Sequence, residues 1–130
     1  MKKVLVVEDD RKIAMSLGIL LKAWGYEVSM AFDGWQAVGM AGKTLPDAII
    51  LDITMPAGDG FSVARRVQEF PATAGTPIIF LTASRRPGLK DQADLAGAFG
   101  YLEKPFRHEE LKDLVDKAVG ARPAPAAPVA

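Results

Sequence analysis

The sequence predicts an α/β domain built on a parallel sheet with helices on both faces. Three observations lead there. Short apolar runs alternate five times with segments of helical period, the pattern of right-handed strand–helix–strand crossovers. Several runs are continuously apolar, as in strands buried on both faces. The polar residues that could carry chemistry follow those runs directly, where open sheets of this class bind ligands.

Taken in order, residues 4–7 (VLVV) form the first strand. From Asp10 to Trp24 the period becomes helical, with Ile13, Leu17, Leu20, Leu21 and Trp24 on one stripe and Gly25 at the position that ends the helix. Residues 26–31 form a second strand, and Asp33 caps a second helix with Ala37, Val38 and Ala41 inward. A third strand spans 46–51, followed by a helix over 61–70 with Val63, Ala64, Val67 and Phe70 inward. A fourth strand over 77–81 starts on a proline, tolerated at that position. A helix rich in small residues over 89–96 and a short strand over 99–102 come next. The last helix spans 107–119, with Leu111, Leu114, Val115 and Ala118 on one stripe and Gly120 as its stop. Residues 1–120 are read as one domain. Residues 121–130 (ARPAPAAPVA) add nothing to a core and read as a tail or the start of a linker.

Composition narrows the function. With 130 residues there is room for one domain with a real core. Sixteen basic and sixteen acidic side chains cancel, which gives no signal for a nucleic-acid or membrane surface. The absence of cysteine removes disulfides, thiol catalysis and cysteine-based zinc sites. No stretch has the length of a signal peptide or a membrane span, so the cytoplasm is the expected location.

The stretch AIILDITMPAGDG, residues 48–60, ends a core strand on Asp52. A buried carboxylate needs a partner, a metal or a polar pocket. Glu8, Asp9 and Asp10 follow the first strand, Thr82, Ala83 and Ser84 the fourth, and Glu103, Lys104 and Pro105 the fifth, so acids, a hydroxyl and an amine gather at one sheet edge. Carboxylates about 4 Å apart repel by roughly 4 kcal/mol per pair at an effective dielectric near 20. Lys104 offsets part of this, and Mg²⁺, which takes one or two carboxylates and leaves room for a phosphate oxygen, offsets more. Such a set suits phosphoryl transfer.

VLVVEDD, LDITMPAGDG, PIIFLTAS and GYLEKPF, in this order and at the strand ends, resemble the receiver domain of two-component response regulators, of the chemotaxis-regulator kind, over residues 1–120. The resemblance implies a flavodoxin-like (βα)5 sandwich with strand order 2-1-3-4-5. It implies that Asp52 is the phosphoacceptor, and that Glu8, Asp9, Asp52 and the backbone carbonyl of Thr54 hold Mg²⁺, with Mn²⁺ as a possible substitute. It further implies that Lys104 and Ala83 bind the phosphoryl group, that Thr82 and Tyr101 switch with it, that Thr54 and Ser84 tune its lifetime, and that the Lys104–Pro105 peptide is cis. The donor is then a sensor histidine kinase or phosphotransfer protein. The helix-4, strand-5, helix-5 face regulates a downstream protein, and the domain is not an enzyme beyond assisting its own phosphorylation and dephosphorylation.

Other readings carry less. Asp10 is assigned to capping the first helix, His108 to the surface, and Pro56, Gly58 and Gly60 to turn chemistry. Met15 and Ile19 make a second apolar stripe on the first helix, for which burial is expected ahead of a docking face for the phosphodonor. A haloacid-dehalogenase-like phosphatase would place a second acid where Thr54 stands. A flavin-binding protein would want a hydroxyl- and glycine-rich loop where EDDRK stands. A receiver that no longer takes phosphate would lack a required residue type, and none is missing. Phe99, Gly100 and Leu114 depart from the charged pattern of the DNA-binding branch's dimer. The expectation is therefore a monomer or weak dimer acting by protein contact, stand-alone, with a receiver cut from a longer regulator as the alternative.

Overall fold

The central apolar runs become strands enclosed from both sides, while the two edge strands are only half-buried. In the computed structural model, which describes residues 1–53 and 60–121, the elements are β1 (Lys3–Val7), α1 (Arg11–Ala23), β2 (Glu27–Ala31), α2 (Gly34–Thr44), β3 (Ala48–Asp52), α3 (Gly60–Glu69), β4 (Ile78–Thr82), α4 (Leu89–Leu95), β5 (Gly100–Glu103) and α5 (His108–Ala121). All pairings are parallel, in the order β2-β1-β3-β4-β5, which is the expected flavodoxin-like order. The expectations for Thr54, Pro56 and Gly58, and for 122–130, lie outside the described residues.

Alternate strand residues supply two cores. Leu5, Val7, Ile49, Leu51, Ile78 and Phe80 pack with α2, α3 and α4, while Val4, Val6, Ala48, Ile50, Ile79 and Leu81 pack with α1 and α5. Register then fixes the functional edge. Val7 pairs with Leu51, Asp52 with Leu81 and Thr82 with Glu103, so the carboxyl ends finish side by side. The chain leaves β1 toward β2 and returns on the other side to β3, and a crevice opens at that reversal.

Helix ends follow their sequence signals. Asp10 Oδ1 accepts from the N–H groups of Lys12 and Ile13 at 2.9 and 3.3 Å, and Asp33 Oδ1 accepts from that of Gln36 at 2.8 Å. Gly25 takes the left-handed conformation after α1, with φ +94°. Gly120 does not end the last helix, because α5 continues through it to Ala121.

The inner stripe of α1 differs from the expected one. Its buried residues are Ala14, Leu17, Gly18 and Leu21. Small side chains let the helix settle close to β2: a Cβ on Gly18 would stand 2.2 Å from the Met30 methyl. That rotation leaves Ile13 exposed and Leu20 and Trp24 only half-buried. It also overturns the expected burial of Met15 and Ile19, which are 58% and 69% exposed. Phe70, expected inward, lies past the end of α3 and is 54% exposed, whereas Phe61 fills that core and meets the Phe80 ring at 5.2 Å.

On α5, Leu114 lies over Gly100, whose missing side chain makes the room: a Cβ there would stand 3.0 Å from Leu114 Cδ2. Lower on the same helix, Tyr26 donates a hydrogen bond to Asp116, which also accepts from Lys112. Burial, then this bond, holds the Tyr26 hydroxyl above its ordinary range, and Lys112, then Tyr26, holds Asp116 below its own. Among the described residues, no helix is long and apolar enough to cross a membrane.

Leu111 is fully buried between α5 and the sheet, so Leu111→Ala should cost about 2–5 kcal/mol by transfer and cavity effects. Phe70→Ala should cost less than about 1 kcal/mol, as expected of an exposed site. Urea unfolding of both variants checks the contrast, and equal losses would contradict the outward placement of Phe70.

Candidate functional site

The site is assembled from the last residues of four strands and the segments after them. Glu8 follows β1 and is anchored by its N–H, which donates to the Ala31 carbonyl at 3.0 Å. Asp52 is the final residue of β3. Both are nearly sealed, at 2% and 5% exposure. Asp9, beside them, faces solvent. One carboxylate oxygen from each of Glu8, Asp9 and Asp52 falls within 4.8 Å of the others. Lys104 follows β5, and its Nζ donates to Glu8 Oε1 at 2.8 Å and to Asp52 Oδ2 at 3.3 Å. The Lys104–Pro105 peptide is cis.

These charges do not balance. Two buried carboxylates share one ammonium, and Asp9 adds a third negative charge. Burial, reinforced by Asp52, lifts the Glu8 carboxyl from 4.5 to about 7. Burial opposes the Lys104 ammonium, but its hydrogen bond to Glu8 and the charge of Asp52 outweigh this and hold it above the ordinary lysine range. The ammonium thus stays charged, and the surplus negative charge is the unstable quantity. An oxygen-only donor set with surplus negative charge is what a hard divalent cation requires, so the chemistry of these residues fits Mg²⁺.

Thr82, the last residue of β4, is fully buried. Its Oγ1 accepts from the Ser84 N–H at 3.0 Å, and Ser84 Oγ accepts from the Arg86 N–H at 3.2 Å. The Lys104 N–H donates to the Thr82 carbonyl at 2.8 Å, tying β5 to β4 at the pocket. Ala83 is exposed. Tyr101 is half-buried against the α2–α3–α4 core, and burial, then Glu103, holds its hydroxyl above the usual range. Glu103 itself is bridged by Arg85 at 3.0 Å. His108 is exposed at the start of α5.

Two features were not anticipated. The Arg85–Glu103 bridge joins residues too far apart in sequence to suggest pairing. Gly60, read from sequence as a turn residue, is buried as the first residue of α3. A Cβ there would stand 2.7 Å from the Asp52 carbonyl oxygen and 2.8 Å from Ile53 Cα. The Gly60 N–H donates to the Ile53 carbonyl at 3.1 Å, so the helix starts against the backbone of the Asp52 segment. A glycine in a glycine-rich loop gave no signal of this contact.

A sequence model of the family described as response regulator receiver domain matches residues 4–116. The chain is 38% identical over 111 residues to the DNA-binding dual master transcriptional regulator RpaA of Synechocystis, covering 85% of this chain and 46% of that protein. It is 41% identical over 104 residues to the response regulator PleD of Caulobacter vibrioides, covering 80% of this chain and 23% of that protein. The chain therefore spans less than half the length of either. In structure it resembles the chemotaxis protein CheY4 of Vibrio cholerae, with TM-score 0.85 and 36% identity over 91% of this chain and 98% of that one. It also resembles the receiver domain of the sensor histidine kinase PA1611 of Pseudomonas aeruginosa, which holds a magnesium ion in its active-site cleft, with TM-score 0.84 and 33% identity over 92% of this chain and 98% of that one.

Two outcomes test the geometry. Gly60→Ala should destabilise the fold by about 2 kcal/mol or more, because its methyl meets backbone that cannot yield, as read from the denaturation midpoint. Glu8 should oppose folding in a pH-dependent way. Its folded pKa of about 7 exceeds its ordinary 4.5, so the folded state binds more protons between those values. The penalty is then absent below about 4.5, grows as pH rises and is complete above about 7. Glu8→Gln, in chelator, should thus stabilise the protein at pH 8 by up to about 3 kcal/mol and hardly at all near pH 4.5. An equal gain at both pH values would contradict this.

Proposed function

We propose, for a chain that belongs to the response regulator receiver domain family, that it is a phosphoacceptor which takes a phosphoryl group on Asp52 and relays its arrival to a partner protein. The observation that carries the reading is the buried Asp52 beside Glu8, Asp9 and one shared lysine.

Glu8, Asp9 and Asp52 would hold Mg²⁺, with the Thr54 carbonyl, outside the described residues, as a fourth contribution, and Mn²⁺ as a substitute. When bound, the cation neutralises phosphoryl oxygens and the surplus negative charge of the pocket. The protein's own residues do the rest. A carboxylate oxygen of Asp52 attacks phosphorus, an O–P bond forms, and the P–N bond to the donor histidine breaks, with the imidazole leaving. Lys104, already hydrogen-bonded to Asp52, follows the charge onto the phosphoryl oxygens, and the Ala83 N–H joins it. Thr82 trades its bond from the Ser84 N–H for one to the phosphoryl group. Tyr101 then takes the space vacated, and the α4–β5–α5 face shifts in population toward a second conformation. Hydrolysis reverses the state: water attacks phosphorus and the Asp52 carboxylate is restored. Thr54 and Ser84 flank the water's path and set the lifetime.

The donor is a sensor histidine kinase or phosphotransfer protein. We take residues 1–121 as the receiver, since α5 runs through Ala121. The protein acts in the cytoplasm by contact with a downstream protein, without binding nucleic acid itself, as a monomer or weak dimer.

In Mg²⁺ with a small acyl or amido phosphate, wild type should gain one phosphoryl group by intact mass, and Asp52→Ala none. Equal labelling of the two proteins would remove Asp52 as acceptor.

A further inference from the structure

Arg11 opens α1 directly after Glu8, Asp9 and Asp10, yet makes no ion pair among the described residues. Its guanidinium carbon lies 4.1 Å from the centroid of the Phe32 ring. That ring is itself held in place. The Phe32 N–H donates to Gln36 Oε1 at 3.0 Å, and the Gln36 N–H donates to the capping Asp33 at 2.8 Å. The preceding residue, Ala31, accepts from the Glu8 N–H at 3.0 Å. The cation is therefore held at the end of β2, whose last residue is bonded to Glu8 of the acidic pocket. Stacking occupies the face of a guanidinium and leaves its in-plane N–H donors free, and those donors match phosphoryl oxygens.

The pocket needs such a group. An anionic donor approaching Asp52 meets Glu8, Asp9 and Asp10 as well, and Lys104, the one cation inside among the described residues, is already engaged by Glu8 and Asp52. A positive charge at the rim favours the encounter without taking part in the bond exchange. We propose that Arg11 is a recognition residue for the phosphoryl donor: its guanidinium, held on Phe32, takes the donor's anionic oxygens at the pocket rim before transfer. The inference rests on the phosphoacceptor reading above. Arg11 gives up no proton; the bonds made and broken remain those at Asp52.

The test uses the whole chain in Mg²⁺ with acetyl phosphate or phosphoramidate as probes, and reads the initial labelling rate by intact mass. Arg11→Ala should label about threefold to tenfold more slowly at low salt, and the gap should close as salt approaches about 1 M. Arg11→Lys, which keeps the charge but not the planar fork, should fall between, as should Phe32→Leu, which removes the platform alone. Lys22→Ala, which removes one charge at the far end of α1, should stay within about twofold of wild type, because screening limits its reach. Arg11→Ala labelling as fast as wild type at every salt concentration, or Lys22→Ala slowing as much as Arg11→Ala, would overturn the proposal. A wild type that takes no label, or an Asp52→Ala variant that labels equally, would instead overturn the phosphoacceptor reading on which it rests.

Discussion

One ammonium held between two buried carboxylates organises this molecule. Lys104 reaches Glu8 and Asp52 from the far side of the sheet edge, so β1, β3 and β5 must finish at the same level for the contact to exist. The parallel register delivers that alignment, and the two cores beneath hold it. The ion group is not a source of stability in the ordinary sense. Removing charges from water costs several kcal/mol each, and one lysine cannot repay two carboxylates. The fold tolerates an unfavourable concentration of negative charge because the hydrophobic layers on either side are continuous, and that unfavourable concentration gives the site an appetite for cations.

Backbone bonds turn the strand ends into one unit. The Lys104 N–H is bonded to the Thr82 carbonyl, the Ile53 N–H to the Leu81 carbonyl, and the Glu8 N–H to the Ala31 carbonyl. Side chains that would handle the phosphoryl group are thus carried on neighbouring strands whose spacing the sheet fixes. Gly60 extends the arrangement by bringing α3 against the carbonyl of Asp52 without any intervening side chain.

Much of this was legible in the sequence, because strand-end chemistry in a parallel sheet needs only the strand order and the residue after each run. Glu8, Asp9, Asp52 and Lys104 come together for that reason. Helix faces were less legible. The expected stripe of α1 followed its large apolar side chains, but the sheet selected Ala14 and Gly18, whose smallness allows close approach to Met30. Met15 and Ile19 were left outside by that choice. Phe70 misled for a different reason, since helical spacing does not reveal that the helix stops one residue earlier. The contacts of Gly60 and of Arg85 with Glu103 link backbone or side chains through tertiary geometry that no local pattern encodes.

The bond from Tyr26 to Asp116 has a mechanical consequence. It ties α5 to the start of β2, at the end of the sheet remote from the pocket. Any tilt of α5 that keeps this bond must turn about Asp116 as a fulcrum. His108, the first residue of the helix, lies eight residues away, about 12 Å at 1.5 Å per residue. A tilt of about 5° then moves the pocket end of the helix by about 1 Å, and Ala121, on the shorter side of the fulcrum, by roughly two thirds of that in the opposite direction. The helix is a lever with its long arm toward the sheet edge that carries Asp52, so small displacements there are expressed as rotation of the whole rod rather than as sliding along the sheet.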